Sequence, residues 1–527
     1  MSVRQGQPAM GQPDMGLAAR RAARLSLYAL FEKQCRLHPE RTALAYQDRS
    51  LSYAGLRQRA ERLAALLHGQ GLKPGDRVCI LSENHPIFLE LSLAALRLGI
   101  IVATLNWRLS GRELAHCIAL VEPKTILVST RHRASLDGIG PSGNLLEIGA
   151  ALEQQLDGPL PTLPPMPESD TEDGLFIIYT SGTTGLPKGA LLSQRAMLAR
   201  LMVYVTDYGV DGGDTFLAWS PLFHMASVEL GLGTLLLGGK VAVLDGAELP
   251  VICDYLEREP LSNLIFFPGM VEQTLAYLRL RRPQVKRLKK FGALADLFAP
   301  REIAEMTALL GVPFTNTFGS TETGMPPASA GRLAAGVAPT DFAKTESLLC
   351  DVLLVDEAGN PVPDGEPGEL LMRGPTLFSG YWNAPEATEE AFAGGWYHTG
   401  DVFVRRPDGR LDYVDRRKYL IKSGGENIYP AEIERVALLH PNIAEAVVVR
   451  RRDARWGEVP VLVVAAEGEA PAAEELIALC RQELAPYKRP KQVLFVPKGS
   501  LPRNNTGKVI RPEVESWVAA QPTEISA

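Results

Sequence analysis

The chain has 527 residues, 46% hydrophobic and 22% charged, the profile of a soluble globular protein with about three domains or one large and one small. A formal net charge of −6 argues against nucleic-acid binding by bulk electrostatics. Six scattered cysteines (Cys35, Cys79, Cys117, Cys253, Cys350 and Cys480) with no CxxC pair argue against a disulfide framework or a zinc site and fit a reducing compartment.

Residues 1–24 lack the apolar core of a signal peptide and read as a flexible tail, which makes a cytoplasmic protein the expectation. The most apolar stretch, "IFLELSLAALRLGIIVATL" at 87–105, holds Glu90, Arg97 and Gly99. It reads as a buried helix followed by a buried strand, so no integral membrane segment is expected. Between 75 and 320, short β-rich runs at 77–81, 125–129, 175–180, 215–220, 240–244 and 263–268 alternate with helix-length amphipathic segments. One of those segments opens with Ser110 and Glu113 at the spacing of a capping box. Within it, adjacent His116 and Cys117 read as a core pair, because no metal-ligand spacing surrounds them.

Strand–helix alternation of this kind predicts an α/β class with mostly parallel sheets covered by helices. From about 348 the runs alternate with turn clusters instead, which predicts a β-rich antiparallel subdomain over 348–417. After "YLIKSGGENIY" a small α+β pattern begins, with Pro430 at a helix start and acids in its first turn. The expected division is a tail at 1–24, a large domain at 25–417 and a small C-terminal domain at 418–527.

The stretch "YTSGTTGLPKGA" at 179–190 follows the apolar run 175–178 directly. A strand ending in glycines and hydroxyls can bring backbone N–H groups against phosphate oxygens, with one lysine completing the cradle. It is not a Walker A loop, because Pro187 occupies the position where that motif requires glycine.

As a string, "YTSGTTGLPKG" strongly resembles the phosphate loop of the adenylate-forming superfamily, which includes acyl-CoA synthetases and aryl-CoA ligases. The resemblance recurs in order along the chain: "SPLFHM" at 220–225, "NTFGSTETG" at 316–324, "GWYHTGD" at 395–401, "DRRKYLIKSGGENIYPAEIE" at 415–434 and "LPRNNTGKVIR" at 501–511. It implies an ATP-dependent acyl-CoA synthetase that converts a hydrophobic carboxylic acid into an acyl-adenylate, releases pyrophosphate and passes the acyl group to coenzyme A. It further implies that Thr180, Ser181, Gly182, Thr183, Thr184, Gly185 and Lys188 wrap the β- and γ-phosphates. Glu322 would hold Mg²⁺ with the Thr180 hydroxyl, Thr321 would reach the α-phosphate, and Phe318 and Gly319 would lie against the nucleotide, with Phe318 stacked on adenine. Asp401 and Arg416 would bind the ribose. Lys508 would bridge the carboxylate and the α-phosphate, and His224 would line the acyl pocket. The small domain would then rotate about Lys418, bringing Lys422 to the active site and Gly424 and Gly425 to a pantetheine tunnel.

Two segments depart from the family pattern. "FGALADLF" at 291–298 has Phe291 where the first glycine of a Gly-Gly-Ala stretch is expected, and 326–347 matches no motif. Candidate acyl-pocket segments are 224–230, 266–270, 292–296 and 320–325, with Glu229 read as a helix-surface acid. They suit a hydrophobic tail, aliphatic or aromatic, so fatty-acid metabolism is one setting. Two other functions compete: adenylation with a carrier-protein thiol as acceptor in trans, and a catalytically silent nucleotide-binding homologue. A homodimer is left open.

Overall fold

The computed structural model describes residues 25–140, 143–160, 162–180, 186–424, 426–503 and 509–522; the 1–24 tail lies outside them. The described chain opens with α1 (Leu27–Leu37), whose first turn is capped by the Ser26 hydroxyl accepting the Tyr28 N–H. A hairpin of β1 (Thr42–Tyr46) and β2 (Arg49–Ser52) leads to α2 (Tyr53–Gly69). Alternation follows: β3 (Arg77–Leu81), α3 (Ile87–Leu98), β4 (Ile101–Thr104), α4 (Gly111–Val121), β5 (Thr125–Ser129), β6 (Asn144–Ile148) and α5 (Ala150–Leu156). The hairpin β7 (Gly174–Thr180) and β8 (Lys188–Ser193) precedes α6 (Gln194–Tyr208). The same rhythm then yields β9 (Thr215–Ala218), α7 (Met225–Leu237), β10 (Lys240–Val243), α8 (Leu249–Arg258), β11 (Pro260–Leu264), α9 (Val271–Arg281), β12 (Arg287–Phe291) and α10 (Pro300–Leu310).

These strands sort into two six-stranded sheets, β12-β11-β9-β10-β1-β2 and β6-β5-β3-β4-β7-β8. Each is parallel except at the hairpin on one edge, β1–β2 in the first and β7–β8 in the second. Strands β4, β5 and β9 are buried along their whole length, which is why they read as unbroken apolar runs. The 87–105 stretch splits as expected into a helix, α3, and a strand, β4. Its Glu90 is buried because the Arg59 guanidinium of α2 reaches it at 2.7 Å. Ser110 and Glu113 form the expected capping box on α4. The run expected at 263–268 is shifted to Pro260–Leu264; Pro268, just beyond, has no N–H to give a ladder.

The remaining strands form three smaller sheets. β13 (Phe314–Ser320) and β14 (Gly324–Leu333) make an antiparallel pair, so part of the unmatched 326–347 segment is simply the second strand of that ribbon. β15 (Asp351–Val355), β16 (Pro367–Arg373), β17 (Tyr397–Arg405) and β18 (Leu411–Arg416) form the antiparallel subdomain, with α11 (Pro385–Ala391) between β16 and β17. The C-terminal unit holds β19 (Ile421–Ser423), β20 (Glu426–Ile428), α12 (Pro430–Ala437), β21 (Ile443–Asp453), β22 (Gly457–Ala466), α13 (Ala473–Glu483), β23 (Gln492–Val496) and α14 (Arg511–Ala519). Pro430 is the first residue of α12, as the sequence predicts.

All six cysteines are free, and all but Cys350 are buried. Burial pushes the thiols up, to about 12 for Cys35, Cys117 and Cys350 and about 11 for Cys253 and Cys480. Among the described residues, no helix is long and apolar enough to cross a membrane.

One buried cation ties these parts together. Arg200 of α6 is fully buried. It donates to the Glu229 carboxylate of α7 at 2.9 Å, the Thr321 carbonyl at 3.0 Å and the Thr376 carbonyl at 2.9 Å. The reading of Glu229 as a helix-surface acid is therefore wrong: it is 3% exposed, and α7 is buried on nearly every face, so its one acid must find a charge partner inside. Burial pushes the Glu229 carboxyl up, and the Arg200 guanidinium opposes that shift. Removing one member of such a pair strands the other, at a cost of about 3–5 kcal/mol, whereas replacing both by apolar residues is often close to neutral. Arg200→Met should therefore lower Tm sharply. Arg200→Met/Glu229→Leu should recover only part of the loss, since the bonds to Thr321 and Thr376 stay broken. Thermal unfolding followed by circular dichroism checks the order.

Candidate active site

The β7–β8 hairpin places Thr180 directly opposite Lys188 at the point where the chain leaves the sheet. Both side chains are half-buried. Ser181, Gly182, Thr183, Thr184 and Gly185, expected to form the cradle between them, lie outside the described residues. The Lys188 ammonium sits 5.0 Å from the centroid of the Tyr381 ring. The Tyr381 hydroxyl in turn donates to Glu322 Oε1 at 3.1 Å. Burial, and then the Glu322 carboxylate, push the Tyr381 phenol up, so at neutral pH it stays protonated and can only donate to that oxygen. Tyr397 is raised by the same two causes in the same order, with Asp401 adding to them. Both phenols thus feel the Glu322 carboxylate, and Tyr397 feels Asp401 as well.

Glu322 is 9% exposed and rides on a turn closed by reciprocal bonds: the Ser320 N–H donates to Thr323 Oγ1 at 2.9 Å and the Thr323 N–H to Ser320 Oγ at 3.3 Å. The turn presents Thr321 and Glu322 together while Arg200 holds the Thr321 carbonyl from behind. Gly319 is required there by space, since a Cβ would lie 2.0 Å from the Gly324 carbonyl oxygen. Phe318 is more deeply set than an adenine-stacking ring needs to be. It is 9% exposed, edge-on to Phe403 at 4.9 Å and tilted on Tyr413 at 5.2 Å.

Asp401 and Arg416 face each other across the β17–β18 ladder. The Arg416 Nε lies 3.0 Å from Asp401 Oδ1, and Asp401 is the main cause raising the Arg416 pKa. Asp401 is 2% exposed. Glu369, which the sequence reading passed over, fastens this corner. Its Oε1 accepts the Gly400 N–H at 3.2 Å, and its Oε2 takes Arg417 Nη1 at 2.7 Å.

His224 is the N-cap residue of α7, in extended backbone at the strand-to-helix turn predicted for it, and is half-buried. The turn is ordered by a second residue that sequence reasoning missed. Asn84 Nδ2 reaches the carbonyls of Ala218, Trp219, Ser220 and Leu244 at 2.9–3.2 Å, and its Oδ1 accepts the Leu222 N–H at 2.7 Å. Only an amide offers donors and an acceptor at one such point. Phe291 does not enter a pocket: it is 1% exposed, edge-on to Phe266 at 6.1 Å and to Phe314 at 5.6 Å. Trp219 packs on Phe266 and Phe267 on the same side.

The structure does not bring every predicted residue to this centre. Lys422 is exposed and pairs with Glu357 at 2.9 Å, in a cleft of about 470 Å³ that Arg417, Lys418 and Arg450 also line. Gly424 has φ +60°, and a Cβ there would lie 2.6 Å from the Trp456 indole, so another residue would strain the backbone and have to displace the indole. Gly425 and Lys508 lie outside the described residues. No group of three His, Cys, Asp or Glu side chains able to cage a metal occurs among the described residues. Glu322 with the Thr180 hydroxyl fits a hard cation that takes most of its ligands from phosphate and water.

A family model for AMP-binding enzymes matches residues 31–382, and the model for their C-terminal domain matches 432–508. Feruloyl-CoA synthase of an Amycolatopsis species is 34% identical over 493 residues, covering 92% of this chain and 97% of that protein. Indoleacetate–CoA ligase of Aromatoleum aromaticum is 33% identical over 516 residues, covering 94% and 98%. The crystal structure of ATP-bound MatB from Rhodopseudomonas palustris superposes with a TM-score of 0.84 at 27% identity, covering 94% of this chain and 99% of that one.

Asn84→Asp puts a carboxylate against four carbonyl oxygens. It should destabilise the protein by at least about 2 kcal/mol and lower the order of the 218–224 turn, as read by thermal unfolding and by hydrogen exchange of the Leu222 amide.

Proposed function

This chain belongs to the AMP-binding enzyme family, and we propose that within it the substrate is an aromatic or arylalkanoic acid. The protein is an ATP-dependent acyl-CoA synthetase: it activates a carboxylic acid as the acyl-adenylate and transfers the acyl group to coenzyme A. The substrate class is supported by the ring cluster of Trp219, Phe266 and Phe267 next to the His224 turn, in which Trp219 and Phe266 are buried and Phe267 is partly exposed. It agrees with the aryl acids in the names of the two relatives. Aromatic side chains recognise flat rings by offset and edge contacts.

In the first half-reaction one carboxylate oxygen attacks the α-phosphorus and pyrophosphate leaves. Negative charge gathers around the phosphorus, so what the protein supplies is position and fixed positive charge. Lys188 faces the phosphates beside Thr180, and Tyr381 orients Glu322 by donating to it. Mg²⁺, held by Glu322 and Thr180, would neutralise phosphate charge. Asp401 would accept the ribose hydroxyl protons, with Arg416 paired to it at 3.0 Å. Lys508 would bridge the carboxylate and the α-phosphate.

For the second half-reaction the small domain rotates about Lys418. The support is mechanical. Arg416 is tied to Asp401 and Arg417 to Glu369, while the next side chain, Lys418, is exposed. The Lys418 carbonyl instead accepts from Arg450 of β21 at 2.9 Å, so the chain's partners change from the β17–β18 side to the C-terminal unit at this residue, which supports a pivot there. Lys422 then leaves Glu357, an exposed ion pair worth little.

Pyrophosphate release should be fastest with hydroxycinnamic, indolylacetic or benzoic acids and at least about tenfold slower with saturated fatty acids of eight or more carbons. A preference for the fatty acids removes the aryl assignment. Separately, Lys508→Ala should suppress adenylation while sparing thioester formation from preformed acyl-adenylate, and Lys418→Pro should do the reverse. Rapid-quench assays of each half-reaction check the pair.

A further inference from the structure

The two segments that match no family motif, 291–298 and 326–347, are joined to each other. Lys344 is fully buried. Its ammonium pairs with the Asp296 carboxylate and donates to the Phe342 carbonyl at 3.3 Å. Its backbone exchanges hydrogen bonds with Leu411 at 2.7 and 2.9 Å, which fixes it to the start of β18. Asn316 of β13 makes a second joint: Oδ1 accepts the Ala295 N–H at 3.1 Å and Nδ2 donates to the Phe342 carbonyl at 2.8 Å. The Thr317 N–H adds a third, to the Ala293 carbonyl at 3.1 Å. A second buried lysine, Lys290, holds the other end of the segment through the Gly292 carbonyl at 2.8 Å.

These joints end at the nucleotide side of the site. The Lys344 ammonium lies 5.9 Å from the centroid of the Tyr413 ring, and Tyr413 packs on Phe318 at 5.2 Å. Tyr413 and Arg416 share β18, and Phe318 and Asn316 share β13. We propose that Lys344 and Asp296 are positioning residues that set the 292–297 segment against Phe318 and so shape the wall that receives the adenosine part of ATP. The proposal rests on the adenylate-forming reading above. An apolar pair could fill the same volume at similar stability. A buried ion pair adds direction, because Asp296 must meet one ammonium already fixed by β18 and by Phe342.

The test compares binding of ATP and of inorganic tripolyphosphate, each with Mg²⁺, by titration calorimetry. It uses the full-length protein and the variants Lys344→Met, Asp296→Asn and Lys344→Met/Asp296→Leu. Each single change should lower Tm, and the double change should restore much of it. In the double variant ATP should bind about tenfold more weakly while tripolyphosphate binding stays within about twofold of the unmodified protein. ATP binding unchanged in a folded double variant overturns the proposal, and so does an equal weakening of both ligands, which marks a merely structural pair. If the double variant does not fold, the isosteric Asp296→Asn is read in the same way. An unmodified protein that binds tripolyphosphate but shows no preference for ATP overturns the proposal alone; one that binds neither ligand overturns the adenylating reading with it.

Discussion

The guanidinium of Arg200 is the constraint on which the arrangement of the site depends. It has no access to water, so each of its hydrogen bonds must be found inside the protein. The partners come from three separate stretches of chain: α7, the turn carrying Glu322, and the segment at Thr376 that leads on to Tyr381. A helix rooted in the β7–β8 hairpin is thereby locked to the helix that begins after His224 and to the turn that carries Glu322. The planar fork of an arginine can serve three directions at once, which a lysine cannot do with the same rigidity.

Strand register places the remaining charges. Thr180 and Lys188 are cross-strand partners, and so are Asp401 and Arg416. Each pair sets an oxygen-bearing side chain opposite a cation at the end of a ladder, where the chain turns away. Tyr381 stands beside Lys188 and Glu322, and burial and the neighbouring acid hold it and Tyr397 protonated. The site is therefore built from backbone pairing outward, with few side chains free to choose their place.

Much of this was legible in the sequence. Strands buried on both faces announce themselves as unbroken apolar runs, and the ordered motifs mark where chemistry sits. What escaped notice was polar and internal. Arg200 and Glu229 look like ordinary charges on amphipathic helices, since nothing in a linear pattern records that α6 and α7 press their charged positions together. Asn84 follows a strand, where an asparagine usually means only a turn. Phe291 stands where a glycine is expected, yet its ring points into the core. The 326–347 segment was opaque because its logic is pairwise: β14 is defined by β13, and Lys344 has meaning only beside Asp296.

The burial of the protein's own thiols bears on a ligase that handles a free thiol as substrate. Disulfide exchange needs a thiolate, and here the sulfur atoms are kept in the neutral form and mostly out of reach. Coenzyme A disulfides that accumulate under oxidative stress find no ready partner on this fold. Capture of the enzyme by its own co-substrate is thus suppressed, and peroxide or disulfide stress would limit turnover by oxidising the pool of coenzyme A before it touched the catalyst.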